Sequence, residues 1–356
     1  MLPVDPDLQI PKFADTKTAH GKVWRPEVRT FKFIAIIAAL VASGSMWASE
    51  SLAQGFFRQS NFSQQGFNRT SFQDHRFSVE FGAKAYDRPG DDLGLPIISD
   101  GVTNEVLFDS ENASDLGSAG GAEVKFNFTN KRGRELELRT VIVDWEETSE
   151  IGGANLVSSF FPVAGAQPDS IGYDYDSDFF SIELVTRRAV RPGFTVSFGP
   201  RIVSTKDFVE VSGSQDIGGV TFTQIQTTEA TNILLGLQGG LEFNLPLADG
   251  VRLQGFTRLG GYTNPSEVNI GTVDPAGTVT EGRLSKQTGS FLGEVGGRLY
   301  VDILPNTLSG YVGYEATWID GLAVAPAQIF SGTANGVDTA NTIFFNAATI
   351  GLRMTY

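Results

Sequence analysis

In the segment RELELRTVIVDW, residues Arg134–Trp145, the charged residues Glu135, Glu137 and Arg139 alternate with Leu136, Leu138 and Thr140. Because successive side chains of a β-strand point to opposite faces, one face of this segment would be charged and the other apolar. The charged face begins at Glu135 and the apolar face begins at Leu136. The segment therefore predicts a β-strand that divides two very different environments.

The same alternation recurs along the whole chain after Arg76 and predicts ten strands. Their apolar faces fall within Phe77–Ala85, Ala122–Phe128, Leu136–Ile142, Phe180–Thr186, Phe194–Ile202, Ile233–Phe243, Val251–Leu259, Phe291–Ile303, Leu308–Trp318 and Phe344–Tyr356. A tilted strand needs about 9–11 residues to cross a bilayer, and most of these stretches reach or approach that length.

The connections between these strands alternate in length. The short ones are NKRG, AVRPG, PLADG and PNT. The long ones are predicted at about 87–119, 146–173, 211–219, 263–287 and 320–341. Short turns at one end and long loops at the other are typical of an outer-membrane barrel. We therefore predict an all-β fold, a transmembrane up-and-down antiparallel β-barrel of about 10 strands over residues 76–356. The runs 97–110 and 206–231 leave a range of about 8–12 strands, because they could add a strand pair or extend strands beyond the membrane.

The face opposite the apolar one is expected to line the barrel lumen. Its nine acidic and nine basic residues are Glu80, Lys84, Glu123, Lys125, Glu135, Glu137, Arg139, Glu183, Arg187, Arg201, Glu242, Arg252, Arg258, Glu294, Arg298, Asp302, Glu315 and Arg353. This balance of charge, in a chain of net charge −14, favours a lumen filled with ion pairs.

A soluble β-sandwich is the alternative, with the charged face in water and the apolar face as its core. Small and glycine residues on the charged face favour the barrel. Aromatic residues at predicted strand ends also favour it, because they would form interface girdles. These aromatic residues are Trp145, Phe179, Tyr262, Trp318 and Phe344.

The N-terminal region has the signature of a secretory signal peptide over residues 1–53. Basic residues precede the apolar run Phe33–Ala48, and small residues precede the predicted cleavage point after Ala53. An uncleaved anchor is the alternative, although the run is shorter than the roughly 20 residues of a spanning helix. Export of this kind would lead to the bacterial outer membrane.

Residues 54–75 form a Gln/Asn/Ser-rich segment in which Phe57, Phe62, Phe67 and Phe72 recur every five residues. Five matches neither the helical nor the strand period. We predict a disordered Phe/Gln-rich periplasmic leader. The alternative is a segment that docks its Phe side chains on the barrel mouth or on another envelope component.

The closing strand carries apolar residues at every second position, Ile350, Leu352 and Met354, and ends in the aromatic Tyr356. This pattern resembles the C-terminal assembly signal of bacterial outer-membrane barrel proteins. That resemblance implies recognition by the barrel assembly machinery through strand addition.

The last hairpin has a narrower resemblance. GYVGYEATWIDGLAVAPAQI followed by FFNAATIGLRMTY looks like the ending of an outer-membrane β-barrel family from planctomycete-type bacteria. Those endings combine a Tyr-rich strand, a Pro-containing loop and a Gly-centred final strand. The resemblance covers about 45 residues, and it implies a barrel but no activity for any residue.

Catalysis and nucleic-acid binding are not expected. The two His residues, His20 and His75, precede the first strand, which argues against His-dependent hydrolysis. Glu135 and Glu137 could form a carboxylate pair, but Arg139 beside them favours a structural charge ladder. The acidic charge argues against nucleic acid as a partner.

Acidic residues concentrate in the predicted long loops. Residues 87–119 hold eight acids and one base, and residues 146–178 hold seven acids and no base. Asp174, Asp176 and Asp178 would lie on one side of an extended segment and are a weak candidate site for Ca²⁺ or Mg²⁺. The alternative is a solvated acidic strand that resists aggregation. Otherwise no cofactor is predicted.

The expected function is that of a structural or surface-interaction barrel with a largely closed lumen and acidic extracellular loops, in contact with outer-membrane lipid and lipopolysaccharide. Ten strands leave little space, because about eight strands are filled by side chains and open channels need about 16. The alternative is a small cation-biased pore for passive diffusion. No enzymatic activity is expected.

Overall fold

The computed structural model describes residues 77–89, 96–100, 103, 105–109, 116–130, 134–153, 156–158, 168–217, 219–331 and 336–356. The predicted signal peptide (1–53) and leader (54–75) lie outside these described residues.

Ten strands form the barrel wall. They are β1 (Phe77–Arg88), β4 (Gly117–Thr129), β5 (Arg134–Gly152), β7 (Ser170–Arg191), β8 (Phe194–Ile217), β9 (Val220–Ala248), β10 (Val251–Val273), β11 (Val279–Leu304), β12 (Leu308–Leu322) and β13 (Asn341–Thr355). Their order around the barrel is β1-β13-β12-β11-β10-β9-β8-β7-β5-β4, and all neighbours are antiparallel. Pairing of β4 with β1 closes the ring. The predicted closed up-and-down barrel of ten strands is confirmed.

Three short strands form a separate sheet. These are β2 (Pro96–Asp100), β3 (Val106–Asp109) and β6 (Leu156–Ser158), in the order β3-β2-β6. The run 97–110 therefore adds no strand to the barrel wall. It packs on the barrel instead, because Ile98, Phe108 and Leu156 are buried in the same core as barrel residues.

The alternation places charged side chains inside the barrel and apolar side chains outside. Outward residues such as Leu241, Val295 and Ile350 are 60%, 48% and 64% exposed, whereas the inward Glu123 is 1% exposed. The exposed apolar residues of the ten strands form a continuous band around the barrel, which we name the apolar belt. Its area far exceeds that of the exposed apolar patches of soluble monomers. The sandwich alternative is wrong, because the charged face lines the interior of a closed sheet.

Several strands run far beyond the apolar belt. β9 has 29 residues, although about 9–11 suffice to cross a bilayer. Where the structure describes them, the predicted long loops at 146–173, 211–219 and 263–287 are therefore mostly strand, which corrects the prediction. Alternation persists there because inward side chains such as Val209 and Val268 pack inside the extended barrel and are fully buried. The run 206–231 extends β8 and β9 in this way.

The two ends of the barrel differ. At the end that we name the short-turn end, β7–β8 and β9–β10 are joined by tight turns whose glycines, Gly193 and Gly250, have φ of 77° and 72°, a conformation that favours glycine. Phe77 and Tyr356 are paired through their backbones at this end, with Tyr356 N donating to Phe77 O at 2.9 Å. The opposite end, where the strands project, is named the long-strand end.

The connection between β12 and β13 contains a short helix, α1 (Ala325–Ser331), which was not predicted. Pro326 lies in its first turn, where proline is tolerated. Among the described residues, no helix is long and apolar enough to cross a membrane.

Three of the five predicted girdle aromatics lie inside the barrel. Trp145, Phe179 and Tyr262 are 2%, 3% and 6% exposed, which corrects the prediction. They occupy inward positions of their strands, and Trp145 continues the face of Glu137 and Arg139. Phe344 is outward, and Trp318 is outward over Gly293, where an added Cβ would lie 2.0 Å from the indole.

Candidate functional site

The lumen at the level of the apolar belt is filled by charged side chains. All eighteen predicted lumen residues fall at inward positions, and thirteen of them are less than 10% exposed. The other five are Glu135, Arg187, Arg252, Asp302 and Arg353, which lie nearer the short-turn end. Asp302 is exposed there. We name the thirteen buried residues together with Glu135 and Arg187 the charged layer.

Arg139 is the centre of the charged layer. Its Nε lies 2.9 Å from Glu123 Oε2, and its Nη1 lies 3.1 Å from Glu294 Oε2 and 3.6 Å from Glu183 Oε1. Its Nη2 lies 3.4 Å from Glu315 Oε2. One guanidinium therefore holds four carboxylates that come from four different strands.

Arg298 and Arg258 extend the same network towards the short-turn end. Arg298 Nη2 lies 2.6 Å from Glu123 Oε1, and Arg298 Nη1 lies 3.3 Å from Glu80 Oε2. Arg258 contacts Glu294 at 3.3 Å and Glu137 at 3.4 Å. Because most carboxylates here contact two or more cations, removing one cation leaves acids buried without full compensation.

The remaining cations complete the network at its sides. Lys84 contacts Glu315 and also lies 2.9 Å from Glu123 Oε2. Arg187 contacts Glu242 and lies 2.9 Å from Glu135 and 3.1 Å from Glu137. The pattern is one of charge neutralisation rather than of a polar cavity that could hold a substrate.

A layer of aromatic and aliphatic side chains, which we name the aromatic layer, lies above the charged layer, towards the long-strand end. Tyr86 and Phe345 have ring centroids 5.7 Å apart, Tyr86 and Trp145 are 5.8 Å apart, and Phe179 and Phe345 are 5.2 Å apart. Val143 and Leu234 are also buried in this core. The alternation could have shown this layer, because its members continue the inward positions of strands already assigned.

The β12–β13 connection closes the barrel above the aromatic layer. Leu322, Ala323 and Ala325 are fully buried, and α1 contacts β8 and β9, across the lumen from β12. We name residues 321–331 and 336–340 the plug. The resemblance of this region to a Pro-containing loop gave no indication that it would turn inward.

Asn232 holds the plug to the wall. Its Nδ2 donates to Ala323 O at 2.7 Å, and its Oδ1 accepts from Ala323 N at 2.9 Å. Asn264 Nδ2 donates to Gly321 O at 2.9 Å, and Ser266 Oγ donates to Asn232 Oδ1 at 2.9 Å. Buried backbone groups of the plug therefore have side-chain partners, as buried polar groups require.

A second buried ion pair lies beside the plug and was not predicted. Arg88 Nη1 lies 3.3 Å from Asp207 Oδ1 and donates to Ser177 Oγ at 2.7 Å, while Arg88 Nη2 donates to Tyr175 Oη at 2.7 Å. Arg88 is the last inward residue of β1, and Asp207 is an inward residue of β8. Both were assigned to loops or strand extensions in the sequence.

The predicted metal residues lie outside the barrel. Asp174, Asp176 and Asp178 are exposed, successive outward residues of β7. Such residues are about 7 Å apart along a strand, so they stand in a row rather than around one point. No group of three or more His, Cys, Asp or Glu side chains that could hold a metal occurs within the described part of the chain.

These aspartates belong to a larger acidic surface. Asp178 is directly opposite Asp144 and Asp176 is opposite Glu146 on β5, while Asp174 is opposite Glu210 on β8. We name these six residues the acidic wall. Burial, together with the charge of Asp144, raises the pKa of Asp178 to about 6. Like charges directly opposite each other destabilise a sheet, and Lys206 on β8, which is opposite Asp178, offsets part of this cost.

The residues of the predicted assembly signal lie on the outer surface of β13 and at its end. Ile350, Leu352, Met354 and Tyr356 are 64%, 47%, 38% and 60% exposed. β13 pairs with both β12 and β1. In the closed barrel these side chains therefore belong to the apolar belt.

No protein-family model matches the chain, and no curated protein matches it. The resemblance to the planctomycete-type family accordingly stays a prediction. Among solved structures, the chain is similar to the outer-membrane protease OmpT of Escherichia coli, at 12% identity and a TM-score of 0.37 over 80% of this chain and 98% of that one.

Two further solved structures are similar to the chain. One is a major outer-membrane protein of Thermus thermophilus, at 11% identity and a TM-score of 0.36 over 79% of this chain and 100% of that one. The other is the translocator domain of the autotransporter NalP of Neisseria meningitidis, at 9% identity and a TM-score of 0.40 over 90% and 97%. All three are bacterial outer-membrane barrel proteins.

Proposed function

We propose that this protein is a closed outer-membrane barrel that acts as a structural or surface-interaction protein. The observation that carries the proposal is the double filling of its lumen. The charged layer fills the barrel at the level of the belt, and the aromatic layer with the plug fills it above. Inward side chains of both fillings, such as Arg139 and Leu322, are at most 1% exposed, so the lumen is densely packed at both levels.

Planar-bilayer recording of the purified protein tests the closed lumen. We expect no steady single-channel openings in 1 M KCl, whereas an open barrel of known conductance would give them in the same bilayers. Steady cation-selective openings would overturn the proposal and favour the small cation-biased pore.

The proposed location in the outer membrane is supported by the apolar belt. Outward residues on all ten strands are uncharged within the belt, and charged outward residues such as Asp144 and Glu229 begin beyond it. We propose that lipid covers this belt, that residues 1–53 direct export and are cleaved, and that the assembly machinery pairs with β13. The long-strand end would then face outwards and the short-turn end the periplasm.

Electrophoresis of outer-membrane fractions, boiled and unboiled, tests this location. Folded membrane barrels resist SDS and change mobility on heating, so we expect a heat-dependent shift in the outer-membrane fraction. Recovery of the protein as a soluble periplasmic species without such a shift would contradict the location.

The surface interaction is proposed to involve the acidic wall. Its carboxylates lie on the outer surface of the barrel, on the long-strand side of the belt. Divalent cations would relieve the repulsion between Asp144 and Asp178 and could bridge the wall to phosphate groups of lipopolysaccharide. The proposal replaces the predicted Ca²⁺ or Mg²⁺ site on three aspartates by a collective attraction of divalent cations to six carboxylates, none of which forms a closed ligand cluster among the described residues.

Binding of purified lipopolysaccharide at different Ca²⁺ concentrations tests the acidic wall. We expect Ca²⁺ to strengthen binding by the unmodified protein and to have little effect on the triple variant Asp144→Asn, Asp176→Asn, Asp178→Asn. A matched triple variant, Asp249→Asn, Asp274→Asn and Glu281→Gln, removes the same charge at exposed positions elsewhere on the barrel and should keep the Ca²⁺ effect. Equal loss in both would contradict the proposal.

A further inference from the structure

A cavity opens at the short-turn end of the barrel, below the charged layer. Its volume is about 210 Å³, well above the roughly 10–15 Å³ that one water needs. Its walls come from the ends of seven barrel strands and their turns, including the first residues of β1 and the last of β13. It belongs neither to the closed lumen nor to the acidic wall.

Among the described residues, the charged side chains that line this cavity are Arg252, Arg353 and Asp302. Two guanidinium groups therefore share a small space with one carboxylate. The hydroxyl of Ser309 donates to Asp302 Oδ1 at 2.7 Å, so that carboxylate already has a partner. The cavity lining carries a net positive charge in a chain whose overall charge is −14.

Arg353 makes fewer and longer polar contacts than the arginines deeper in the lumen, so some of its N–H donors are available to a ligand. Its Nη1 lies 3.6 Å from Glu80 Oε1, and its Nη2 lies 3.5 Å from Ser78 Oγ. Its Nε is buried and has no hydrogen-bond partner among the described residues. Arg139, by contrast, contacts four carboxylates. A guanidinium has five N–H donors, and a buried donor without a partner is costly.

Arg252 is held in place by an aromatic ring. Its guanidinium carbon lies 4.6 Å from the centroid of the Tyr300 ring, and Tyr300 Oη donates to Gln254 Oε1 at 3.0 Å. Stacking fixes the plane of a guanidinium and so orients its edge for in-plane hydrogen bonds. Ser78, which is 4% exposed, and Asn306 add polar groups to the same cavity.

We propose that this cavity binds a small phosphate-bearing anion between Arg252 and Arg353. A phosphate carries a charge of about −1.5 to −2 at neutral pH, which two guanidiniums can balance, and it offers oxygens that both can bind. Two sources share this chemistry, a free phosphate or phosphomonoester and the phosphate of a lipid headgroup that reaches over the short turns. The assignment of this end to the periplasm rests on the proposed orientation, but the binding does not.

Isothermal titration calorimetry of the purified full chain in a non-ionic detergent tests the site, with sodium phosphate as the probe and sodium chloride of equal ionic strength as the blank. We expect one saturable site. Arg353→Gln and Arg252→Gln should each weaken phosphate binding at least tenfold, because each removes a charge-assisted contact. Arg191→Gln, which replaces an exposed arginine at the last position of β7 at the same end, should change it less than twofold.

Absence of saturable phosphate binding by the unmodified chain would overturn the site, as would binding that survives both cavity variants unchanged. The heat-dependent gel shift shows which variants are folded. If only one of the two cavity variants folds, comparing its phosphate affinity with that of the unmodified chain is enough to test the site. Failure here would leave the closed-lumen proposal intact, because the conductance measurement uses neither arginine.

The source of the phosphate is distinguished by repeating the titration in nanodiscs. Discs of phosphatidylglycerol offer a lipid phosphate, and discs of digalactosyldiacylglycerol offer none. A tenfold weaker affinity for free phosphate in the phosphatidylglycerol discs identifies the headgroup as the occupant. Equal affinities in the two kinds of disc identify a soluble phosphate.

Discussion

Arg139 and Glu294 stand on diametrically opposite strands of the barrel, yet Arg139 Nη1 lies 3.1 Å from Glu294 Oε2. Four barrel strands separate β5 from β11 in either direction around the ring. The two side chains therefore span the whole lumen at the level of the apolar belt. This contact explains why a ten-stranded ring can be closed without a large inserted domain.

Replacing Arg139 by Gln should strongly destabilise the barrel. Four carboxylates would lose their shared cation, and breaking a buried ion pair from one side costs about 3–5 kcal/mol. The free energy of unfolding in detergent, followed by tryptophan fluorescence against guanidinium, measures the loss. Arg283→Gln is the control. The Arg283 side chain is 71% exposed, so its ion pair with Glu267 should contribute at most about 1 kcal/mol to the free energy of unfolding. Equal losses would show that the charged layer is not specially coupled.

Replacing Leu241 by Arg should impair folding into lipid. Leu241 is 60% exposed near the middle of the proposed belt, where an arginine facing lipid costs about 2–4 kcal/mol. Folding efficiency into phospholipid vesicles, read from the gel shift, checks this. Gln287→Arg is the control, since Gln287 is outward on the long-strand end. A variant at Leu241 that folds as well as this control would argue against lipid contact.

Replacing Asn232 by Ala should loosen the plug and leave the lumen closed. The change removes both partners of the Ala323 backbone, and each buried group left unsatisfied costs about 1–3 kcal/mol. Hydrogen exchange at residues 322–325 should accelerate by at least tenfold. Planar-bilayer conductance should stay at the background, because the charged layer is untouched. Openings in this variant would show that the plug, rather than the ion pairs, seals the barrel.

Stability should rise as the pH falls through about 6. The pKa of Asp178 is raised by burial and by Asp144, so the folded barrel binds this proton more tightly than the unfolded chain does. The gain should be complete below the ordinary value near 3.8. Asp178→Asn should flatten the unfolding free energy between pH 5 and pH 7.5. Asp320→Asn, an exposed outward carboxylate, should keep the slope. Identical slopes in the two variants would contradict the assignment.

The strand count and the lumen residues could be predicted because alternation is a local property of each strand. Glu137 and Leu138 show which face is which without any knowledge of their neighbours. The same rule also holds for Trp145, but the sequence placed its ring at the membrane interface. An aromatic residue suits both an interface and a core, and only ring closure brings it against Tyr86 and Phe345.

The plug was beyond prediction for a different reason. Its helix, α1, has seven residues, too few for a periodic signal, and its inward path depends on Asn232, about 90 residues away in sequence. The cavity at the short-turn end has the same character. Arg252 and Arg353 were predicted as two of many lumen charges, and only the closed ring brings them to the wall of one cavity.

The charges that point into the barrel also make correct register a condition of assembly. When β13 meets β1, Glu80 stands opposite Arg353, and both point inwards. Insertion of the last strand one residue out of step would turn Arg353 towards lipid and leave Glu80 without it, because a slip of one residue exchanges the two faces of a strand. Every barrel strand contributes charge to the interior, so a ring closed in the wrong register would bury charges without their partners and would be less stable than the native ring.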